Sequence, residues 1–102
     1  MAAKNYMVNS YTNDTWTDLV SDASIIASVI IANTDPANTI TFEMRIDNGA
    51  GTELARLIPP STIDLNVSQT LDLRAVVIET GQRLQVKALA AGLHFTANGE
   101  TL

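Results

Sequence analysis

The stretch from Asn38 to Asp47 reads Asn-Thr-Ile-Thr-Phe-Glu-Met-Arg-Ile-Asp, with polar and apolar residues in strict alternation. Its apolar side chains point to one side and its polar side chains to the other. The apolar members are Ile40, Phe42, Met44 and Ile46. A period of two sustained in this way is typical of a strand with one face in a core and one in water. The stretch therefore predicts a half-buried β-strand.

The rest of the chain repeats this pattern in short segments separated by turn-forming residues. We predict strands over residues 16–20, 24–33, 39–47, 53–58, 63–67, 71–79, 83–88 and 93–97. Pro59-Pro60-Ser61 is expected to end the fourth strand, and Ser68–Thr70 to form a turn before the sixth. A buried helix competes only over 24–33, where the β-branched residues favour a strand. Regularly spaced short strands predict an all-β fold, an antiparallel β-sandwich or jelly roll.

The length of 102 residues fits one domain. Residues 1–14 are rich in Asn, Ser, Thr and Tyr and hold no sustained period, so we expect an N-terminal arm or irregular lead-in there. The sandwich is expected to span 15–102.

Charge and cysteine content exclude several classes of function. The net charge is −5, and the six basic residues are scattered, which argues against nucleic-acid binding. The absence of cysteine excludes a disulfide scaffold, a thiolate zinc site and a cysteine nucleophile. The longest apolar stretch, 25–32, is too short to span a membrane, and the first residues lack a signal-peptide pattern. We expect a protein made in the cytoplasm without export, with no membrane or cofactor.

Catalytic constellations are weak. His94 is the one histidine, and it falls on the polar side of the last strand, where a surface or interface position is expected. Gly-x-Ser-x-Gly is absent, and the carboxylates are not arranged as a calcium loop. These residues predict a protein that is not an enzyme. Trp16 is expected to anchor the core or an edge, with an interface hot spot as the alternative.

Apolar residues also occupy positions that should face outward. In the strand over 24–33, apolar side chains lie on both faces, and Ile25, Val29 and Ile31 form one of the two rows. A free sandwich leaves one wet face on each sheet. We therefore expect a face covered by another subunit or by the arm, with coverage by the protein's own loops as the alternative.

Several segments follow one another in a characteristic order of strands and turns. They are Ile30-Ile31-Ala32-Asn33-Thr34-Asp35, the strand Thr39–Ile46, Leu57-Ile58-Pro59-Pro60, the run Leu73–Ile78 followed by Glu79-Thr80-Gly81-Gln82-Arg83-Leu84-Gln85-Val86, and Ala90-Ala91-Gly92. This order resembles a group of small virion structural proteins of tailed bacteriophages. The likeness covers roughly residues 15–98, with Gln82 where the group more often has Asp. It implies a β-sandwich and a capsid decoration (cement) role. Asn33, Asp35 and Gly81 carry over only as structural positions.

The resemblance also implies partners. We expect a homo-oligomer, a trimer or dimer, that binds the major capsid protein or other virion proteins and is located in the virion. The arm would contact the shell or a neighbour. The predicted interface residues are Tyr6, Met7, Val8, Tyr11, Trp16, Ile25, Val29 and Ile31.

Other roles stay open from the sequence. Within the same class, the protein could belong to the neck, collar or tail. A carbohydrate- or receptor-binding module would need an exposed aromatic or acidic site, with Trp16 as the aromatic candidate. A hydrolase would need His94 in a cleft beside a serine or carboxylate.

Overall fold

The computed structural model describes residues 2–9 and 14–102, which form eight strands and no helix. The strands are β1 (Ala3–Asn9), β2 (Thr17–Val20), β3 (Ser24–Asn33), β4 (Ile40–Asp47), β5 (Glu53–Ile63), β6 (Ser68–Ile78), β7 (Arg83–Ala88) and β8 (Leu93–Thr101). In this part of the chain, therefore, no helix offers an apolar span able to cross a membrane.

The strands form two four-stranded sheets in which every neighbouring pair is antiparallel. Sheet I has the order β1-β8-β3-β6, and sheet II has the order β2-β7-β4-β5. Only β4 and β5 follow each other within one sheet, because each of the other connections crosses to the opposite sheet. This order is that of a jelly roll, so the predicted β-sandwich or jelly roll is confirmed.

The core lies between the sheets and is built from the inward-facing side of each strand. Ile40, Phe42 and Met44 of β4 are buried, as their alternation predicts. Phe42 meets Phe95 of β8 edge to face, with 6.4 Å between the ring centroids. Apart from Tyr6 and Met44, the other core side chains are aliphatic, which agrees with the low aromatic content.

The N-terminal lead-in differs from the prediction. Ala3–Asn9 is a regular strand that pairs with β8, and Tyr6 belongs to the core with 7% of its surface exposed. Lys4, Tyr6 and Val8 lie on one side of the strand and Asn5 and Met7 on the other. The sequence hides this alternation, because Met7 is an apolar residue on the outward side and Lys4, which is exposed, is a charged residue on the same side of the strand as Tyr6.

The boundaries of β5 and β6 also correct the prediction. β5 continues through Pro59 and Pro60, which were expected to end the strand. Residues 64–67 form a turn and not the predicted strand. Ser68–Thr70, expected to be a turn, already belongs to β6. Two consecutive prolines are tolerated in β5 because this strand lies at the edge of sheet II and because its register with β4 shifts between Ile58 and Ser61.

A β-bulge in β3 decides which isoleucines face outward. Ile26 pairs with Gly99, but the next regular pair joins Ser28 to Asn98, so Ala27 is an extra residue. A bulge shifts the alternation by one position. Gly99 permits it, because a Cβ at that position would collide with the carbonyl oxygen of Ile25.

Candidate interaction surfaces

Face I is the surface that sheet I turns away from the core. Its members follow from the strand register and burial: Ala3, Asn5, Met7, Ile25, Ser28, Ile30, Ala32, Ser68, Thr70, Asp72, Val77, His94, Thr96, Asn98 and Glu100. Most are small and uncharged. Asp72, His94 and Glu100 are ionisable, and none of the members is a lysine or arginine.

Large apolar side chains are exposed on face I. Met7 is 75% exposed, Val77 47% and Ile30 39%, and Ile25 is half-buried between Glu100 and Val77. Met7 and Ile30 share a cross-strand row, because both are paired with Thr96. Thr70 continues this row on β6. Face I therefore combines exposed apolar groups with hydrogen-bonding groups that carry little charge.

The predicted interface residues do not form one surface. Met7 and Ile25 lie on face I. Val29 and Ile31 are fully buried in the core, because the bulge at Ala27 moves them to the opposite side from Ile25. From the sequence, Ile25, Val29 and Ile31 were predicted to lie in one row on the same side of the strand. The exposed members of that strand include Ile30, which the predicted set omits.

The other predicted residues are dispersed. Tyr6 is a core residue, and Val8 is partly buried and packs against the core. Trp16 lies on the opposite side of the sandwich. Tyr11 lies outside the described residues.

Face II is the outward surface of sheet II, and it is dominated by charged side chains. Its members are Asp18, Thr41, Glu43, Arg45, Glu53, Arg56, Thr62, Arg83, Gln85 and Lys87, with Trp16 lying over them. Four of the six basic residues of the chain are therefore on this face.

Trp16 sits above a cluster of three cations. The guanidinium of Arg45 lies 4.3 Å from the ring centroid, the Lys87 ammonium 4.9 Å and the Arg56 guanidinium 5.2 Å. Cation–π contacts at exposed sites contribute about 0.5–1 kcal/mol each. The half-buried indole thus anchors the segment before β2 to sheet II.

Acidic residues neutralise these cations within the chain. Glu43 binds both Arg56 and Lys87, with 3.2 Å between its carboxylate and the Lys87 ammonium. Lys87 also contacts Asp14 at 3.3 Å. Exposed ion pairs are individually weak, but a shared network loses less side-chain entropy per contact.

A second chain of contacts runs along β2 and β7. Asp18 binds Arg83 and accepts a hydrogen bond of 2.9 Å from the Gln85 amide. The Gln85 carbonyl in turn accepts one of 2.8 Å from Arg45. The charged side chains of face II are consequently paired with one another.

A polar cluster ties β1 to the turn before β3. The Lys4 ammonium lies 3.1 Å from Asp22 Oδ2 and 4.8 Å from the centroid of the Tyr6 ring. The Tyr6 hydroxyl and Asp22 Oδ1 are buried and make no hydrogen bond of good geometry, yet each influences the other's pKa.

The two pKa values in this cluster move apart. Burial raises the pKa of Tyr6, and the neighbouring Asp22 carboxylate raises it further. For Asp22, burial favours a higher pKa, but the Tyr6 hydroxyl and the Lys4 ammonium outweigh it, so the pKa is lower than usual. The cluster thus holds a neutral phenol beside a charged carboxylate.

The loop residues taken from the family resemblance do have structural roles. Buried Asn33 donates to the carbonyls of Asn38 and Ile63, and its own side-chain oxygen accepts the Asp35 amide at 2.9 Å. Asp35 accepts the Ala37 amide at 2.8 Å, which is the main reason that its pKa is lowered. Gly81 has a φ of 85°, which suits its turn.

In the part of the chain that the structure describes, the histidine and carboxylate side chains do not gather into a cluster. His94 is exposed on face I, as its place in the alternation predicts. No three potential metal ligands cluster anywhere in residues 2–9 and 14–102. An open depression lies near the end of sheet I, lined by Ala23, Val77, Glu79, Thr80, Gln82 and Leu102.

Comparison with known proteins adds a small number of structural likenesses. No protein-family model matches the chain, and no curated protein matches its sequence. Two crystal structures of a pentameric capsid protein isolated from metagenomic phage sequences are similar, each at 16% identity over 97% of this chain. Their TM-scores are 0.48 and 0.47, and the chain spans 60% and 61% of their lengths.

A third similar structure is IMPa from Pseudomonas aeruginosa in complex with an O-glycopeptide. Its identity is 12% and its TM-score 0.40, over 98% of this chain and 12% of that protein. All three TM-scores lie below 0.5, so none of these likenesses assigns a function to the chain.

Proposed function

We propose that the chain is a non-enzymatic structural protein of a tailed-phage virion, and that it decorates the capsid shell as a cement protein. The observation that carries the proposal is face I, where Met7, Ile30 and Val77 are exposed among small uncharged residues. The sequence resemblance to tailed-phage virion proteins supplies the biological setting.

The composition of face I suits docking onto a protein surface. Removal of exposed apolar area from water favours association, and the net affinity is what is left after the costs of association and ordering. Serine, threonine and asparagine can pair with partner backbone groups, and none of the residues assigned to face I by register and burial is a lysine or arginine. A partner that binds only the assembled shell stabilises that shell by mass action.

The partner of face I in this proposal is the major capsid protein or another virion protein, and the protein is located in the virion. Face II points outward in the bound state, because its charges are paired among themselves. An apolar face toward the shell and a charged face toward water is the arrangement that a decoration protein requires.

Surface substitutions test this role better than truncation of the N-terminal residues. Removal of residues 2–12 would delete β1 and the core residue Tyr6, so a loss of binding would also follow from unfolding. Ile30→Lys and Val77→Lys instead place a charge on face I. Thr62→Lys is the matched control on face II, at an exposed position of edge strand β5.

The measurement is occupancy on purified particles that lack the protein and are then mixed with each variant. We expect wild-type occupancy for Thr62→Lys and occupancy reduced about tenfold or more for the two face I variants, since burial of an unpaired charge is costly. Equal occupancy for all variants would contradict a docking role for face I.

Copy number separates decoration of the shell from a place in the neck or tail. Gel densitometry of virions is expected to give hundreds of copies for a shell protein. About a dozen or fewer would assign the protein to the neck, collar or tail.

A further inference from the structure

Edge strands expose unpaired backbone groups, and three of the four edge strands here are protected against pairing. β5 contains Pro59 and Pro60. β2 has four residues and a register shift between Asp18 and Val20. Short strands, prolines and bulges are the usual means of blocking edge-to-edge association.

The third protected edge is β6. Its residues between Asp72 and Val76 bulge where β3 has the single residue Ala27. Arg74 in this bulge has a φ of 63°, a conformation that is uncommon for a large side chain. The distortion interrupts the outer edge of sheet I at β6.

β1, the other edge of sheet I, has none of these protections. Its seven residues pair with β8 in one unbroken register. The strand contains no proline and no acidic residue, and its one charged residue, Lys4, is bound to Asp22. In residues 2–9 and 14–102, no strand pairs with the other side of β1, which is therefore a regular edge strand.

The backbone groups on the free side of β1 can be assigned. The carbonyl of Ala2 accepts the amide of Thr101 at 2.9 Å, so the polar groups of Ala2 point toward β8. Backbone direction alternates along an antiparallel strand. Asn5 and Met7 consequently direct their N–H and C=O groups away from β8, and both residues are exposed.

We propose that β1 pairs antiparallel with β1 of a second copy of this chain, so that two sheets I join into one continuous eight-stranded sheet. In the register that overlaps the whole strand, residue 5 faces residue 7 of the other copy, and residue 3 faces residue 9. Each outward N–H and C=O then finds a partner on the other copy. The two-fold symmetry closes the contact, and no edge of β1 stays free.

Charge explains why a second copy is a suitable occupant at this edge in particular. Two molecules that each carry a net charge of −5 repel one another over most of their surfaces. β1 contributes no carboxylate to that repulsion. Pairing there would also cover part of Met7, which is 75% exposed.

The dimer deepens the proposed function, because it joins two faces I into one surface that can bridge a joint between shell subunits. It is nevertheless testable on the isolated full-length chain. A monomeric wild-type chain that still binds the shell would refute the dimer alone, and unchanged shell binding of a dimeric Ile30→Lys variant would refute the role of face I alone.

The decisive variant is Met7→Pro, measured by sedimentation equilibrium with circular dichroism as the check of folding. Proline removes the Met7 N–H, which points away from β8, so the pairing within the subunit keeps its hydrogen bonds. Met7→Ala is the matched control, because it shortens the side chain and retains the donor. Met7→Lys adds a charge at the edge and serves if the proline variant does not fold.

The wild type and Met7→Ala are expected to be dimers. Met7→Pro and Met7→Lys are expected to dissociate about tenfold or more readily, since each change acts twice in a symmetric dimer: proline removes two hydrogen bonds, and lysine places two charges at the contact. A wild-type monomer, an open or ring-shaped higher oligomer, or a dimer insensitive to both substitutions would overturn the proposal. A monomer that pairs through β1 only with a capsid protein would also overturn it.

Discussion

The two outward faces of the sandwich differ in the kind of side chain that they expose to water. Face II carries Arg45, Arg56 and Lys87, and each is paired with a carboxylate or stacked on Trp16 within the same chain. Face I carries Met7, Ile30 and Val77, and these are exposed. A charged face that neutralises itself is stable in water, whereas an apolar face gains from being covered. This contrast is the reason that we propose face I as the surface for a partner.

The contrast also separates stability from association. Contacts on face II join residues that are distant in sequence, so they contribute to folding. Exposed side chains on face I contribute little to folding, because they are in water in the monomer. Substitutions on the two faces should accordingly change different measured quantities.

The largest expected effect concerns the bulge that sets the composition of face I. Gly99→Ala is expected to lower the free energy of unfolding by roughly 2–3 kcal/mol, because the added Cβ meets the Ile25 backbone. Chemical denaturation measures it. Gly51→Ala is the control, since a Cβ there meets no atom and only the positive φ of 91° is unfavourable. Equal losses would contradict the close approach at Gly99.

The next effect isolates face II. Trp16→Ala is expected to cost about 1–2 kcal/mol in unfolding free energy, because the cation–π contacts and the buried part of the ring are lost. The occupancy of this variant on the particle should stay at the wild-type level. The matched change on face I, Ile30→Thr, is expected to alter stability by less than about 0.5 kcal/mol and to weaken association. A weakened association for Trp16→Ala together with a loss of stability for Ile30→Thr would refute the division between the two faces.

A smaller effect is a dependence on pH at the β1 cluster. The pKa of Asp22 is lower in the folded protein than its usual value of 3.8, so its stabilising effect is complete above that value and is lost as the pH falls through the folded pKa. Asp22→Asn should therefore make stability less sensitive to pH below about pH 4. Thermal unfolding across acidic pH measures this.

The smallest effect is the response to salt. At about 1 M salt the Debye length falls to about 3 Å, so the ion pairs of face II should lose a few tenths of a kcal/mol in total. Glu43→Gln is expected to reduce this salt dependence, because Glu43 binds two cations. Association through face I should not weaken in salt. A steep loss of association with salt would indicate that charged contacts hold the partner.

Much of the fold could be predicted from local sequence, because burial imposes a period on each strand. The alternation over β4 identified a half-buried strand, and the β-branched run identified β3. The bulge in β3 could not be predicted, since it depends on Gly99 in a strand far along the chain. Without it, Val29 and Ile31 were assigned to the same side as Ile25.

The positions of strands at sheet edges and the pairing of side chains could not be predicted from the sequence either. Pro59 and Pro60 end a central strand but are compatible with an edge strand, and the local sequence does not tell which applies to β5. The position of Trp16 over three cations depends on the register of β2, β7 and β4. Alternating charges at Glu43 and Arg45 predicted a polar face, but not its internal pairing.

Thiol labelling on assembled particles tests the central claim most directly, because the natural chain has no cysteine to interfere. Thr70→Cys places a thiol on face I, and Thr62→Cys places one at an exposed position of face II. In particle-bound protein, we predict slow labelling of the thiol at position 70 and fast labelling of the thiol at position 62, with similar rates for both in the free protein. Equal rates in the particle-bound protein, or protection of position 62 alone, would contradict a partner on face I.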